Sequence, residues 1–278
     1  GEGAKLEKMA FYNTSSLKNI DLSKVKEIGD YAISGDVYYA CLDENMSVAA
    51  VNSDGYYYYT YHGPQIESAD ISSTKTLGEY AFSYCRKLAS IKLSDDIKEI
   101  KQYTFAGCDS LKDINLGKVE TIGEYAFMEC GLENIDLSGT KLIDDYAFVS
   151  NRLLSTVTVG EATESIGEGA FAYCEKLEEL DLPASVSTIE FEAFNNTPWL
   201  RNKPDGMVIV GSVLYKYKPF DGDEKVEPDC IIPEGVESIS DDAFYMLEKP
   251  LRIYLPKSLK TYKAGSLRCL TKYYTMIR

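Results

Sequence analysis

The chain of 278 residues has one histidine, His62, and one tryptophan, Trp199. Any Ser-His-Asp or Cys-His arrangement would therefore have to pass through His62. That residue sits beside Gly63-Pro64, and no G-x-S-x-G, P-loop or H-E-x-x-H pattern accompanies it. A solvated loop histidine is the expected reading. Positive charge is also scarce: 29 Lys and Arg against 44 Asp and Glu leave a net charge of −15. Nucleic acid and anionic membrane surfaces repel such a chain, so neither is an expected partner. No apolar run approaches the roughly 20 residues that span a bilayer, so no membrane insertion is expected. Paired C-x-x-C spacing is missing, which removes the usual zinc frame. No metal or other cofactor is expected. Gly1-Glu2-Gly3 shows no basic-then-apolar leader pattern and enters the repeat described next part-way through, so a natural start further upstream is expected.

What the chain has in abundance is one repeated frame, clearest in Thr121–Leu137, TIGEYAFMECGLENIDL. It reads I-G-x-x-A-F, then a Cys three residues after the Phe, then L-x-x-I-x-L. The first copy holds Ala10-Phe11 and Leu17, Ile20 and Leu22; the next has Ile28-Gly29 and Ala32-Ile33. The regular series follows with Phe82, Phe105, Phe127, Phe148, Phe171 and Phe194, at steps of 23, 22, 21, 23 and 23 residues. It resumes at Ile239 and Ala243-Phe244 and decays through Ala264-Gly265 to a C-terminal strand. Each copy offers about five large apolar side chains, worth roughly 1.5–3 kcal/mol apiece when buried. Ordering the backbone costs roughly 1–2 kcal/mol per residue, so one copy cannot fold alone. The expected architecture is a stacked solenoid, one domain over 1–278, stable only through contact between neighbouring copies.

The seven cysteines pose a disulfide question. Four of them, Cys85, Cys108, Cys130 and Cys174, hold the slot three residues after the Phe, which Thr14, Asn151 and Thr197 hold in other copies. That exchange asks for a small, weakly polar group facing inward and bonding a neighbouring backbone amide. Stacked copies lie roughly 5 Å apart, but their Cβ vectors are parallel, which suits a bridge poorly. A reduced ladder is expected.

Two insertions interrupt the series, at about 35–66 and 197–232, and widen the step to 49 from Ile33 to Phe82 and to 50 from Phe194 to Phe244. In the first, Val48–Val51, the turn Asn52-Ser53-Asp54-Gly55 and Tyr56–Tyr61 read as a hairpin. In the second, Val208–Val210, Gly211-Ser212 and Val213–Tyr217 read as another. Both second strands carry tyrosines, so the two look like copies of one decorated repeat.

L-x-x-I-x-L with I-G-x-x-A-F-x-x-C resembles the BspA-like subtype of leucine-rich repeats, and Asn196-Thr197-Pro198-Trp199-Leu200 leading to Val213–Tyr217 resembles its decorated repeat. The resemblance covers nearly the whole chain. It implies a right-handed, β-dominated solenoid with a parallel sheet on one face, short or helical turns on the other, and two β-hairpin insertions. It further implies a bacterial cell-surface or secreted protein linked to adhesion, and no active site. Ile33, Thr104 and Gly265 depart from the Ala-Phe pair, and Lys101, Asp144 and Glu190 stand where Gly is usual. Those three charged residues argue against a positive-φ requirement at that glycine.

Candidate contacts lie on surfaces. Residues flanking the second apolar position of L-x-x-I-x-L point away from the core. Down the stack they are Asn19/Asp21, Ser90/Lys92, Asp113/Asn115, Asn134/Asp136, Thr156/Thr158 and Glu179/Asp181. A second column is Tyr31, Tyr80, Tyr103, Tyr125 and Tyr146, read as half-buried spacers first and as an exposed strip second. The third candidate is the run Tyr56, Tyr57, Tyr58 and Tyr59, whose rings a projecting hairpin would expose to a protein or sugar. Gly167-Glu168-Gly169 imitates a dinucleotide fingerprint but is the repeat's own turn. The reading is a non-enzymatic, extracellular or cell-surface monomer that binds a protein or glycan. A stalk presenting another domain is the rival, and a carbohydrate-active enzyme a distant third.

Overall fold

The computed structural model of the chain describes residues 3–39, 59–218, 229–241, 243–245, 252–263 and 275–277. They form a β-solenoid of about ten turns, built from short and mostly parallel strands, with one helical turn at Pro198–Arg201. Each turn carries two ledges. The first is the strand ending in the Ile of I-G-x-x-A-F. Glu99–Ile100, Thr121–Ile122, Leu142–Ile143, Ser165–Ile166 and Thr188–Ile189 make one five-stranded sheet with Ile registered on Ile. The second ledge is L-x-x-I-x-L. There Ser68–Asp70 pairs with Ser90–Lys92, and Asn134–Leu137 pairs with Thr156–Val159, both in parallel. Period-two alternation sends Ile135 and Leu137 inward and leaves Asn134 and Asp136 outside.

Between the ledges the I-G-x-x-A-F segment makes a tight aromatic turn. Phe82, Phe105, Phe127, Phe148, Phe171 and Phe194 are wholly buried and stack at centroid spacings of 5.2–5.6 Å. The residue before each Ala sits in the left-handed region, φ 53–57° at Tyr31, Tyr80, Tyr103, Tyr125 and Tyr146. The glycine four residues before the Phe is needed for a different reason. A Cβ on Gly78 would come within 2.4 Å of the backbone of Gly29 and Asp30 one turn back. At Gly78 this close approach, not a positive φ, calls for glycine, and Lys101, Asp144 and Glu190 fill the same slot in other turns, as expected where no positive φ is required.

The small-residue slot works as a hydrogen-bond ladder. Cys85 Sγ donates to the Ile33 carbonyl (3.0 Å), Cys108 to Phe82 (3.3 Å), Cys130 to Phe105 (3.1 Å) and Cys174 to Phe148 (3.4 Å). Asn151 Nδ2 does the same to Phe127 (2.7 Å). For these five the partner is a carbonyl in the Phe position of the preceding turn, whereas Thr197 Oγ1 donates to Phe194 O of its own turn (2.7 Å). Five cysteines, including Cys230, are buried and unbridged, and burial pushes the Cys174 thiol up to about 12.

The two insertions prove unlike each other. Ile33 N donates to Ala81 O (2.9 Å) and Glu27 and Ile28 register on Thr76 and Leu77, so the turns on either side of the first insertion stack directly. The stack thus closes across the first insertion. Within it Tyr59–His62 pairs antiparallel with Asp36–Tyr39, a different partner from the expected Val48–Val51, which lies outside the described residues with Asn52–Gly55 and Tyr56–Tyr58. The second insertion is instead a turn of the stack. Gly206–Val210 and Val213–Lys218 form the expected hairpin about Gly211-Ser212, and Val213–Leu214 then registers in parallel on Ser238–Ile239. Buried Tyr215 and Trp199 close the Phe column against Phe194.

The five-stranded sheet stops at Thr188–Ile189, and the next begins with the hairpin. Side chains stitch the break: Ser238 Oγ donates to Ser187 O (3.1 Å) and Ser240 Oγ to Ile189 O (2.6 Å), while Lys263 pairs with Glu190. A cavity of about 310 Å3 lies at this junction.

Candidate functional site

The polar ladder is exposed along its described length, and parallel register aligns it: Asn134 lies beside Thr156 and Asp136 beside Thr158. Ser68 and Asp70 lie beside Ser90 and Lys92 in the same way. This last copy is absent from the sequence reading, although Ile66-x-x-Ala69-x-Ile71 and the Asp70-x-Ser72 echo of Asp21-x-Ser23 mark it. Asn115 and Asp136 converge over Gly117, where a Cβ would sit 3.3 Å from Asp136 Oδ2 and 3.6 Å from Asn115 Oδ1. Asp113 stands exposed on the same turn as Asn115, flanked by the ion pair of Lys112 with Glu133 (2.9 Å).

The two columns of the ladder differ in what they already do. The second-column residues close the end of their own strand. Asp21 accepts from the amide and hydroxyl of Ser23, Asp70 from those of Ser72, Asn115 from the Gly117 amide and Asp136 from the Ser138 amide. These are Asx turns, which bend the chain out of the strand. The Ser23 and Ser72 hydroxyls, with their amides, hold the Asp21 and Asp70 carboxyls below the usual range. First-column Asn134 and Thr156 make no such side-chain bond among the described residues, so they offer the ladder's uncommitted hydrogen-bonding groups.

Glu179 and Asp181 are exposed at the far end of this ladder. Trp199 ends it there, its amide donating to Leu177 O (2.7 Å) and its Nε1 to Leu180 O (2.9 Å). The helical turn Pro198–Arg201, capped by Thr197 and started by Pro198, thereby replaces the next L-x-x-I-x-L strand. Of the tyrosine run, Tyr59 is in the hairpin strand opposite Tyr39; Tyr56, Tyr57 and Tyr58 lie outside the described residues. His62 closes the same strand, opposite Asp36. The junction cavity holds two carboxylates, Glu190 and Asp241, of which Glu190 is ion-paired to Lys263.

The tyrosine column is a single stack. Tyr31, Tyr80, Tyr103, Tyr125 and Tyr146 lie ring on ring at 4.4, 4.6, 4.8 and 4.9 Å, with planes within 13°. The rings are half-buried, so they are spacers whose edges form a surface strip. Burial, with Tyr31 and Tyr103 on either side, pushes the Tyr80 hydroxyl up to about 12.

A family model described as BspA type leucine-rich repeat region matches six copies, over residues 3–74, 75–201 and 220–276. A leucine-rich repeat protein from Bacteroides ovatus of known structure is 26% identical, with a TM-score of 0.52 over 72% of this chain and 53% of its own. The chain thus spans about half the length of that protein. The pneumococcal vaccine antigen PcpA is 18% identical, with a TM-score of 0.43 over 99% of this chain and 77% of its own. A leucine-rich repeat protein of T. pallidum is 24% identical, with a TM-score of 0.36 over 64% of this chain and 79% of its own. No curated protein sequence matches the chain.

Proposed function

Because the chain belongs to the BspA type leucine-rich repeat family, we propose that it is a non-catalytic binding module. Its partner is an extracellular protein or glycan, met at the bacterial cell surface or after secretion, and its role is adhesion. The observation that carries this reading is the exposed ladder: first-column groups of Asn134 and Thr156 repeat at strand spacing across parallel turns. A rigid row of amides, hydroxyls and carboxylates suits hydrogen bonding to an extended polymer, whether a peptide or a sugar chain. The ion pair of Glu190 with Lys263 supports the non-catalytic reading, since it removes one carboxylate from the acidic pair in the junction cavity.

The test is a screen of the monomeric protein against immobilised matrix proteins and a glycan array. Alongside it run an Asn134→Ala/Thr156→Ala variant, an Asp113→Asn/Glu179→Gln/Asp181→Asn variant and one with Tyr56–Tyr59 replaced by serine. Loss of the hit in the first variant, with unchanged melting, supports the ladder. Normal binding by that variant beside a failing tyrosine variant moves the site to the first insertion. No hit for the unaltered protein overturns the binding reading in favour of a stalk.

A further inference from the structure

The tyrosine stack runs beside a column of like charge. The residue before each ring is Asp30, Glu79, Gln102, Glu124 and Asp145, and Glu168 continues the row past Tyr146. None of these five carboxylates has a cation partner among the described residues, and four of them, all but Glu79, are half-buried. Elsewhere the solenoid does the opposite. Glu120 with Lys141 (2.7 Å), Glu133 with Lys112 (2.9 Å), Asp70 with Lys92 (3.4 Å) and Glu237 with Lys260 (2.7 Å) pair opposite charges on adjacent turns. Stacking like charges at turn spacing costs stability that alternation would have avoided.

Internal hydrogen bonds satisfy only part of this column. Asp30 accepts from the Glu79 amide, Asp145 from the Glu168 amide, Glu124 from Gln102, and Glu168 from the Tyr146 hydroxyl. All of these donors are neutral, so the negative charge stands uncompensated. Glu168 reaches the hydroxyl edge of the stack directly, accepting from Tyr146, and burial first, then the charges of Glu124, Glu168 and Asp145, raise the Tyr125 hydroxyl. Lys8 begins the same row, and its ammonium lies 6.0 Å from the Tyr31 ring centroid. The chain itself thus seats a primary ammonium against one end of the strip.

We propose that this tyrosine and carboxylate strip is a docking surface for an extended, lysine- or arginine-bearing peptide segment of a protein partner. Charge complementarity selects the occupant. The ring faces are spent on one another, so a ligand meets edges, hydroxyls and carboxylates, all of which favour cationic hydrogen-bond donors. The row extends over several turns, which suits an extended segment better than a single ion. The surface is separate from the ladder of the second ledge, so each can fail without the other.

The probe is a labelled ten-residue peptide alternating Lys and Gly, with a Glu-Gly peptide as control, measured by fluorescence anisotropy against the intact protein. Glu79→Gln/Glu124→Gln/Glu168→Gln should weaken Lys-Gly binding about tenfold and flatten its salt dependence. Asp95→Asn/Asp96→Asn/Glu161→Gln makes the same change in net charge at exposed turn residues outside both surfaces and should alter affinity less than about twofold. Equal losses in the two variants, or no binding of the Lys-Gly peptide, would overturn the proposal. Tyr103→Leu, checked by melting, should weaken binding while leaving the carboxylates in place; full affinity in that variant would reduce the surface to charge alone and overturn the role given to the rings.

Discussion

The Tyr217 amide donates to the carbonyl of Ala243 at 2.7 Å, as the Phe127 amide does to Ala147 at 2.8 Å. Tyr217 also follows Phe194 by 23 residues, the ordinary step of the series, and its ring lies 5.9 Å from Phe244. It therefore holds the Phe position of a turn whose other parts are disguised. Trp199 stands in for the L-x-x-I-x-L strand and Val213–Leu214 for the I-G ledge. The first insertion has no such role.

Excising the two insertions should accordingly give opposite results. Gly63 packs against Gly35, with an added Cβ only 2.8 Å from the Gly35 Cα, so the ends of the first insertion already meet. Replacing residues 36–62 by a short Gly-Ser link should leave the melting temperature within a few degrees. Tyr217→Ala should cost about 3–5 kcal/mol, as for a buried aromatic, and loosen the turns beyond it. Urea titrations of the two proteins check the contrast.

The Phe column should be strongest in its middle. Phe127 is wholly buried between Phe105 and Phe148, each 5.3 Å away, whereas Phe11 is half-buried in the first turn. Phe127→Ala should cost about 3–5 kcal/mol and Phe11→Ala clearly less. Equal losses in chemical denaturation would argue against a continuous stack.

The cysteine ladder should be indifferent to reductant and unreactive. Cys85, Cys108 and Cys174 are fully buried and their thiols are raised by that burial, so at pH 8 they remain protonated. Native iodoacetamide labelling followed by peptide mass spectrometry should leave all three unmodified. Cys108→Ser should be tolerated better than Cys108→Leu, because a hydroxyl can still donate to Phe82 O and a larger side chain cannot fit.

Alkali should destabilise the fold in a defined window. A group raised in the folded state contributes fully below its unfolded pKa and loses that contribution as pH rises toward the folded value. For Cys174 and Cys230 the window opens near the ordinary thiol value of 9.0 and closes at about 12. For Tyr80 it runs from 10.0 to about 12. Melting temperature should be flat between pH 7 and 8 and fall above about 9. Tyr80→Phe should reduce the fall above pH 10.

Within the ladder, fold and contact should separate by column. Asp136→Ala removes the acceptor for the Ser138 amide at 2.9 Å and should cost about 1 kcal/mol. Asn134→Ala should change stability by less than about 0.5 kcal/mol. Differential scanning fluorimetry on the two variants distinguishes them.

The sequence by itself determined the solenoid, because the frame is made of packing residues with a fixed inward or outward direction. Ile, Ala, Phe and the small slot recur at one period, and only stacking can bury them together. The exposure of Asp113, Asn115, Asn134, Asp136, Glu179 and Asp181 followed from the same alternation. The tertiary structure decided what period alone leaves open. It shows that Asn115 and Asp136 bend their strands, since an Asx bond depends on where the following amide lies. It aligns five tyrosines ring on ring, a contact between turns that no single copy specifies. It also separates two insertions of similar appearance. Both carry a tyrosine strand, but neighbours are set by which carbonyls remain to be paired. The Ile33 amide already donates to the Ala81 carbonyl across the first, while past Phe194 the stack needs Tyr217 to go on.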